Sequence, residues 1–299
     1  MCGIVGLFIK NPAMEANMGG WLSDMLIEMS DRGPDSAGVA VYHDPVTGQA
    51  AKLTVMSTLP DFDWEAFRQS LRDRFGEQVS MTAHNTHAVL KLQADLNAFG
   101  NWLKTQHPSV IVNSSGSTIE IYKEKGLPVS VVDKFKLREF AGSHALGHTR
   151  MATESEVTTE HSHPFSTGID LCLVHNGSLS NHNRLRTMLK KKGVEIKTDN
   201  DSEVAAGYLM WKLREGATLE EALQDAIEDL DGFYTFAVGT GDGFAVLRDP
   251  IGCKPAVIAE TDDWVAMASE YRAIAHLPGS EDARIWEPEP TKIYSWTRN

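Results

Sequence analysis

Cys2, which directly follows the initiator Met1, combines two groups that could do chemistry. The small side chain of cysteine permits removal of Met1, and Cys2 would then carry a free α-amino group. Such an amine has a pKa of about 7.7–8.0 and can act as a base at neutral pH. One residue would therefore supply a nucleophile together with its base. Position alone favours the alternative, a small apolar residue that opens a strand.

Two further motifs carry groups suited to a charged or polarised substrate. Arg150 lies among small polar residues in GHTRMAT at 147–153, and its planar guanidinium fits a carboxylate in bidentate fashion. Asn176 and Gly177 follow the apolar run at 171–174, where an amide and a backbone N–H can donate to one oxygen and form an oxyanion hole. The alternatives are a structural arginine and an ordinary Asn-Gly turn.

Two loop motifs complete the set of candidates. DNDSE at 199–203 precedes an amphipathic helix and fits an N-cap, but its Asp201 could instead receive a substrate ammonium group. RGPDSAG at 32–38 suits a loop whose backbone approaches a ligand, although alone it is only a helix stop and a turn. Each motif is weak by itself. Together they supply what hydrolysis of a free amino acid's side-chain amide requires: a nucleophile with a base, a carboxylate clamp, an oxyanion pair and an ammonium acceptor.

The hydrophobic pattern predicts the elements that position these motifs. It predicts a buried strand at 2–9 and helices at 18–29, 184–192, 203–214 and 219–230. It also predicts a strand pair at 38–42 and 51–56, a second pair at 110–112 and 119–122, and a strand at 129–132. Blocks of strands separated by paired helices favour an α+β sandwich of antiparallel sheets over alternating βαβ units.

Bulk composition excludes several classes of protein. The chain has 299 residues, of which 42% are hydrophobic and 23% charged, as in ordinary globular proteins. Its net charge of -13 disfavours nucleic acid or an anionic membrane as a partner. No apolar run approaches the roughly 20 residues of a membrane span, and no signal peptide is recognisable. The 3 cysteines give no disulfide framework and no pair for zinc, so a cytoplasmic enzyme without a metal is expected.

The motifs taken together resemble the class II glutamine amidotransferases, a family of N-terminal nucleophile hydrolases. The resemblance covers nearly the whole chain except about 60–108, and rests on CGIVG at 2–6, RGPDSAG, GHTRMAT, HPF at 163–165, VHNGSLSN at 174–181, DNDSE and RDPIGCKP at 248–255. It implies one domain spanning 1–299, folded as a four-layer αββα sandwich of two antiparallel sheets, with Cys2 at the end of a central strand. The segment 60–108 is expected to be an inserted αβ unit that docks a partner.

The resemblance also implies the role of each candidate residue. Cys2 is the expected nucleophile, while Arg150 binds the α-carboxylate of L-glutamine and Asp201 its α-amino group. Asn176 and Gly177 form the oxyanion hole. The glutamine pocket is expected to be lined in addition by Gly33 and Thr153. One departure concerns Glu154, which stands where several relatives have histidine, so the rim of the pocket is expected to differ.

More narrowly, the strings at 161–183, 200–209, 231–240 and 286–290 resemble the amidotransferase subunit of N-methylglutamate synthase, a glutamate-synthase-like complex. This resemblance implies a glutaminase subunit that supplies ammonia to synthase subunits on separate chains. FMN is expected on a partner subunit, and no cofactor is expected in this chain. The alternatives are a catalytically idle structural or regulatory subunit, and an asparagine-synthetase-like or other Ntn amidase. Arg150 together with Asp201 argues against an amidase for another substrate, because that pair of residues fits a free amino acid.

Overall fold

A computed structural model describes residues 2–48, 50–152 and 157–298 of the chain. Its strands are β1 Gly3–Ile9, β2 Ser36–Tyr42, β3 Ala51–Ser57, β4 Ser80–His84, β5 His87–Leu92, β6 Val110–Gly116, β7 Ile119–Lys125, β8 His144–Arg150, β9 Phe165–Gly168, β10 Leu171–Leu179, β11 Gly232–Thr240, β12 Gly243–Arg248, β13 Val257–Glu260, β14 Trp264–Ala268, β15 Arg284–Trp286 and β16 Tyr294–Thr297. The helices are α1 Met18–Glu28, α2 Trp64–Phe75, α3 Leu96–Gln106, α4 Pro128–Phe135, α5 His182–Lys191, α6 Asp201–Arg214 and α7 Leu219–Asp229. None of the helices in these ranges is long and apolar enough to cross a membrane.

The strands form three sheets within the described ranges. The first has the order β15-β13-β14-β1-β8-β2-β7, the second β16-β12-β11-β10-β9, and the third β4-β5-β3-β6. Neighbouring strands in all three sheets run antiparallel. The predicted α+β class with antiparallel sheets is therefore confirmed.

The alternation of apolar residues along β1 shows how the first two sheets pack. Val5 and Leu7 face α1 and α4, whereas Ile4 and Phe8 face the second sheet. The opposite face of the second sheet is covered by α5, α6 and α7, whose apolar side chains surround Leu173 and others of β10 and β11. Because both faces of β1 are buried, the strand reads as a nearly continuous apolar run.

The third sheet has an apolar core of its own. Helices α2 and α3 pack on it through Phe67, Leu71 and Phe99, which meet Leu53 of β3 and Leu90 of β5. The segment predicted as an inserted unit, 60–108, contains α2, β4, β5 and α3. In the structure these elements share their sheet with β3 and β6, so the compact unit runs from residue 51 to residue 116. Its independence as a domain and its docking role stay predictions.

Three predicted elements are wrong. Strands β2 and β3 do not pair with each other, because β2 lies between β7 and β8 in the first sheet and β3 between β5 and β6 in the third. Strands β6 and β7 are separated in the same way. Residues 129–132 belong to helix α4, not to a strand. Pro128 occupies the first turn of that helix, where no N–H is needed, and Val131, Val132 and Phe135 are buried at helical spacing.

Candidate active site

Cys2 lies directly ahead of β1, at the centre of the first sheet. Gly3 pairs with Thr149 of β8, so the start of β1 lies beside the end of β8. On the other side, Arg32 donates from Nε to the Cys2 carbonyl oxygen at 3.0 Å and from Nη1 to Glu270 Oε1 at 2.6 Å. The polypeptide at Cys2 is thus held by a buried arginine that is itself fixed by an ion pair. The thiol is half-buried and faces the Met151 carbonyl oxygen, with Sγ 3.9 Å from it.

The environments of the 3 cysteines differ sharply. Burial raises the pKa of the Cys2 thiol, while the Met151 contact and the charges of Arg150 and Arg32 act in the opposite direction. Cys172 is fully buried in the core, where burial raises the pKa of its thiol to about 12. Cys253 is exposed on the surface. Cys2 is the cysteine that lines a cavity, and the charges of Arg150 and Arg32 act on its thiol.

A cavity of about 250 Å³ opens at the Cys2 thiol. It brings together four residues predicted for the site, Cys2, Arg150, Gly177 and Asp201. The remaining lining consists of Met151, Ala152, His163, His175, Ser178, His182, Asp199, Asn200 and Ser202. Predictions for Thr153 and Glu154 fall outside the described residues.

Arg150 is the last residue of β8 and is almost fully buried. Burial lowers the pKa of its guanidinium, whereas Cys2, Asp35 and Asp201 raise it. Asp35 is fixed by the backbone N–H of Ala152, which donates to its Oδ2 at 2.8 Å. An arginine stays protonated under all ordinary conditions, so this side of the cavity carries a permanent positive charge.

Asp201 is the first residue of α6 and reaches back to the end of β10. Asn200 caps the helix, since its Oδ1 accepts from the Ser202 N–H at 2.9 Å. The Leu179 N–H donates to Asp201 Oδ2 at 2.8 Å, and the Ser202 hydroxyl lies 3.3 Å from Oδ1. A carboxylate accepts about four hydrogen bonds, so Asp201 retains capacity for a ligand. The predicted N-cap and a carboxylate facing the cavity therefore coexist in this motif.

Asn176 and Gly177 lie inside strand β10, where they pair with Thr235 and Tyr234 of β11. They do not form an Asn-Gly turn. Gly177 has φ +147, and a Cβ atom there would lie 1.8 Å from the Phe233 carbonyl oxygen, so only glycine fits. The Asn176 side chain is 2% exposed, and its Nδ2 has no hydrogen-bond partner in the described part of the chain. A buried, unused amide donor adjoins the cavity wall at Gly177.

The motif RDPIGCKP binds the part of β11 that pairs with this stretch of β10, a role that its sequence did not suggest. Asp249 Oδ2 accepts from the Tyr234 N–H at 3.0 Å, and the Thr235 hydroxyl donates to the Lys254 carbonyl at 3.2 Å. Arg248 holds the same loop by donating to the Lys254 carbonyl at 2.9 Å. The loop thereby fixes the two residues that pair with Asn176 and Gly177.

Gly33 contributes to the site through its backbone. A Cβ atom at this position would lie 2.3 Å from the Thr149 carbonyl carbon and 2.5 Å from the Arg150 nitrogen. The absence of a side chain lets the loop at 32–38 pack directly on the end of β8. Gly33 is therefore placed to position Arg150 and does not itself appear in the described cavity lining.

Three buried histidines adjoin the cavity, and no motif in the sequence predicted a role for them. His148 Nε2 lies 2.9 Å from the His175 carbonyl oxygen, and its ring stacks on that of His163 at 3.9 Å between centroids. His175 Nδ1 lies 2.9 Å from the Ser202 hydroxyl. Burial lowers the pKa of all three imidazoles, to about 3 for His148. These rings are neutral at pH 7, so they order the wall without adding charge.

No group of three or more His, Cys, Asp or Glu side chains in the described ranges is placed to hold a metal ion. The chemistry that the site offers is that of a thiol, an arginine, a carboxylate and two amide-type donors. Such a set can bind a zwitterionic amino acid by its two charged groups and attack a carbonyl carbon further along its side chain.

Comparison with known proteins identifies the family. Residues 148–276 match the family described as "Glutamine amidotransferase domain". The chain is 53% identical over 300 residues to the glutamine amidotransferase-like protein GlxB of Rhizobium meliloti (strain 1021), covering 99% of this chain and 98% of the relative. It is 30% identical over 305 residues to a putative glutamine amidotransferase of Methanothermobacter thermautotrophicus, covering 98% and 99%. The chain belongs to the class II glutamine amidotransferase family.

Solved structures of amidotransferases show the same fold. The glutamine phosphoribosylpyrophosphate amidotransferase from B. subtilis superposes on this chain with a TM-score of 0.61 at 21% identity. The superposition covers 99% of this chain. A second structure, described as the allosteric regulatory enzyme of purine biosynthesis, gives a TM-score of 0.62. The present chain covers 49% and 47% of those two chains. At this identity the likeness concerns the N-terminal nucleophile hydrolase fold alone.

Proposed function

We propose that this amidotransferase hydrolyses L-glutamine to glutamate and ammonia. The observation that carries the proposal is the single cavity lined by Cys2, Arg150, Gly177 and Asp201. Arg150 binds the α-carboxylate of glutamine and Asp201 binds its α-ammonium group. With both charged groups on the α-carbon held, the side-chain amide at the other end of glutamine extends toward the Cys2 thiol. This double recognition is the reason for choosing a free amino acid over a peptide or another amide.

The proposed reaction begins once Met1 has been removed. The freed α-amine of Cys2 takes the thiol proton, and the sulfur attacks the amide carbon to form a C–S bond. Asn176 Nδ2 and the Gly177 N–H donate to the resulting oxyanion. Collapse of this intermediate breaks the C–N bond, and the Cys2 ammonium returns its proton to the departing ammonia. Water then adds to the γ-glutamyl thioester, glutamate leaves, and the thiol is restored.

The three cysteines provide a matched test of this proposal. Cys2→Ala is expected to abolish the release of glutamate and ammonia from glutamine, whereas Cys253→Ala should leave it unchanged because that thiol is exposed and outside the cavity lining. Intact-mass measurement of the active protein should show Cys2 as the first residue. Full turnover by Cys2→Ala, or by protein that retains Met1, would contradict the mechanism.

We further propose that the ammonia passes to a synthase on separate chains, in a complex of the N-methylglutamate synthase or glutamate-synthase type, with FMN on a partner subunit. The support is the resemblance of the strings at 161–183 and 231–240 to such amidotransferase subunits. Native purification from the source cells should recover a partner that carries flavin absorbance and uses glutamine as nitrogen donor. If the complex does not use glutamine as nitrogen donor, or uses it equally well with Cys2→Ala, this chain is an idle or regulatory subunit instead.

A further inference from the structure

A second and larger cavity, of about 770 Å³, lies between the third sheet and the body of the amidotransferase. Strand β6 forms one wall, β9 another, and the segment 193–198 that precedes α6 forms the third. Two contacts join the part of the chain at 51–118 to the rest of the protein. The Asp170 carboxylate accepts from the backbone N–H groups of Ser117 and Thr118, each at 2.8 Å. Lys104 of α3 pairs with Glu195, a residue of the cavity lining, at 3.1 Å.

The wall of this second cavity contains buried donors that the described chain leaves unused. Ser114 is 2% exposed and Asn113 8% exposed, yet Ser114 Oγ and Asn113 Nδ2 have no partner in the described ranges. Thr167 Oγ1 on the facing strand is also buried and unpaired there. Asn113 is the extra residue of a bulge, because Ser114 pairs with Thr54 and Val112 with Val55. Bulges commonly redirect a side chain toward a functional site, and unpaired buried donors indicate a missing acceptor.

The charges around these donors define the missing ligand. Lys123 is buried and donates to the carbonyls of Ser162 at 2.9 Å and Glu160 at 3.2 Å. Lys197 lines the same cavity and adds a second cation, whereas the carboxylates of Glu195 and Glu203 in the lining already have partners. Such a donor set is complementary to a carboxylate. Glu160, on the same cavity, offers an acceptor for an ammonium or hydroxyl group next to that carboxylate.

The second cavity shares two of its walls with the glutamine cavity. Lys197, Thr198 and Glu203 line the second cavity, whereas Asp199, Asn200, Asp201 and Ser202 line the first. Glu203 ties the segment together by accepting from the N–H groups of Lys197 at 2.9 Å and Thr198 at 2.6 Å. On the other side His163 lines the first cavity and Phe165 the second. A ligand that moves the segment 197–203 must therefore shift Asp201.

We propose that the second cavity binds a small carboxylate metabolite of the amino-acid or hydroxy-acid class, and that its occupancy alters glutamine hydrolysis through the segment 197–203. The first half concerns binding alone. The second half rests on the proposed glutaminase function.

Binding is tested by calorimetry on the full chain with matched pairs of probes: glycine and glycolate, L-alanine and L-lactate, L-aspartate and L-malate. Within each pair only the ammonium and hydroxyl groups differ, so preference for the amino acid would indicate an ammonium acceptor among the carboxylates of the lining. At least one probe is expected to bind with a Kd below about 1 mM. Failure of all six to reach that affinity overturns the proposal.

The site of binding is tested with variants that remove a single unpaired hydroxyl. Ser114→Ala and Thr167→Val should each weaken the probe about tenfold, the usual effect of losing a hydrogen bond to a charged group. Ser80→Ala, an exposed serine on β4, is the matched control and should leave the affinity unchanged. A probe whose affinity is insensitive to both cavity variants but lost in Asp201→Asn binds in the glutamine cavity, which also overturns the proposal.

The regulatory half is tested by the glutaminase rate with and without a saturating probe. The KM for glutamine is expected to change in the wild type, and the same change in Ser114→Ala is expected to require about tenfold more probe. Binding of the probe without any change in rate overturns the coupling. If the wild type has no glutaminase activity even without a probe, the proposed function fails while the calorimetric result still decides whether the second cavity binds a carboxylate.

Discussion

Replacing Asn176 with leucine should move activity and stability in opposite directions. The side chain is 2% exposed, and its Nδ2 has no partner in the described ranges. A buried donor of this kind weakens the folded state, because it leaves water without gaining a hydrogen bond. In the proposed reaction the same donor acquires a partner when the oxyanion forms. Asn176→Leu removes the proposed catalytic donor and, with it, the destabilisation caused by burying that donor unpaired. Leucine has a side chain of similar size, so the fold should tolerate it.

The magnitudes follow from the two roles. Loss of one oxyanion-hole donor lowers kcat by about 10²–10³-fold. An unsatisfied buried donor costs about 1–3 kcal/mol, so the free energy of unfolding of Asn176→Leu should equal that of the wild type or exceed it by up to about 2 kcal/mol. Because 1 kcal/mol moves the midpoint by about 2–4 °C in large domains, the Tm should rise by several degrees at most.

Steady-state glutaminase kinetics and thermal unfolding of the same preparations measure both effects. Asn101→Leu, on the exposed side of α3, is the matched control and should leave kcat unchanged. Full activity of Asn176→Leu would show that its amide is not an oxyanion donor. A fall in Tm of more than a few degrees would show that Nδ2 is satisfied in the folded protein, which would refute the stability half of the reasoning.

Three further predictions concern other residues of the fold and site. Asp201→Asn should lower kcat/KM for glutamine by about 10–100-fold, mainly by raising KM, because it removes the charge that binds the α-ammonium group. The control is Asp225→Asn, which changes a partly exposed partner of Lys212 and should leave kcat/KM unchanged. Gly177→Ala should lower the free energy of unfolding, measured by urea denaturation, by about 2 kcal/mol or more. The added Cβ would lie 1.8 Å from the Phe233 carbonyl oxygen, and the backbone has φ +147. Gly193→Ala is the control and should lower the free energy of unfolding by less, because Gly193 has φ +76 and no heavy atom lies within 4 Å of the added Cβ. Burial lowers the pKa of His87 to about 3. Below about pH 6.5 the unfolded chain therefore binds a proton at this imidazole, whereas the folded chain does not. The free energy of unfolding consequently falls as the pH is lowered from about 6.5. Between about pH 6.5 and 5.5, the free energy of unfolding of His87→Phe should therefore fall by about 1 kcal/mol less than that of the wild type.

Residue chemistry and periodicity allowed prediction of much of the site. The helices α6 and α7 follow from apolar spacing, and the antiparallel class follows from the grouping of strands. Arg150 and Asp201 could be predicted as site residues because a guanidinium binds the α-carboxylate of an amino acid and a carboxylate binds its α-ammonium group. Four of the predicted site residues line one cavity, although their separation along the chain runs from Cys2 to Asp201.

Strand pairing could not be predicted in the same way. The turn residues at 44–48 indicate a change of direction, but they do not say which strand comes next in the sheet. Strands β2 and β3 therefore looked like a hairpin, although packing assigns them to different sheets. At 129–132 the β-branched residues favoured a strand, and burial of one helical face against α1 and the first sheet overrode that preference.

The buried histidines and the supporting loop were missed for a different reason. His148, His163 and His175 were visible in the motifs, but their effect depends on burial, which makes them neutral, and on stacking across strands. Neither property can be read from neighbours in the sequence. The same holds for Asp249, whose contact with Tyr234 joins a loop to a strand that begins 17 residues earlier along the chain, at Gly232.

The position of Cys2 directly before the central strand determines which terminus can carry a fused sequence. Arg32 donates to the Cys2 carbonyl oxygen, and β8 and β14 flank β1, the strand that follows. At the far end, β16 is an outer strand of the second sheet, with half-buried and exposed residues. Under the proposed mechanism, any sequence left in front of Cys2 silences the amine, whereas sequence added after β16 leaves it intact. Affinity tags, reporters and covalently joined synthase domains therefore belong downstream of this amidotransferase.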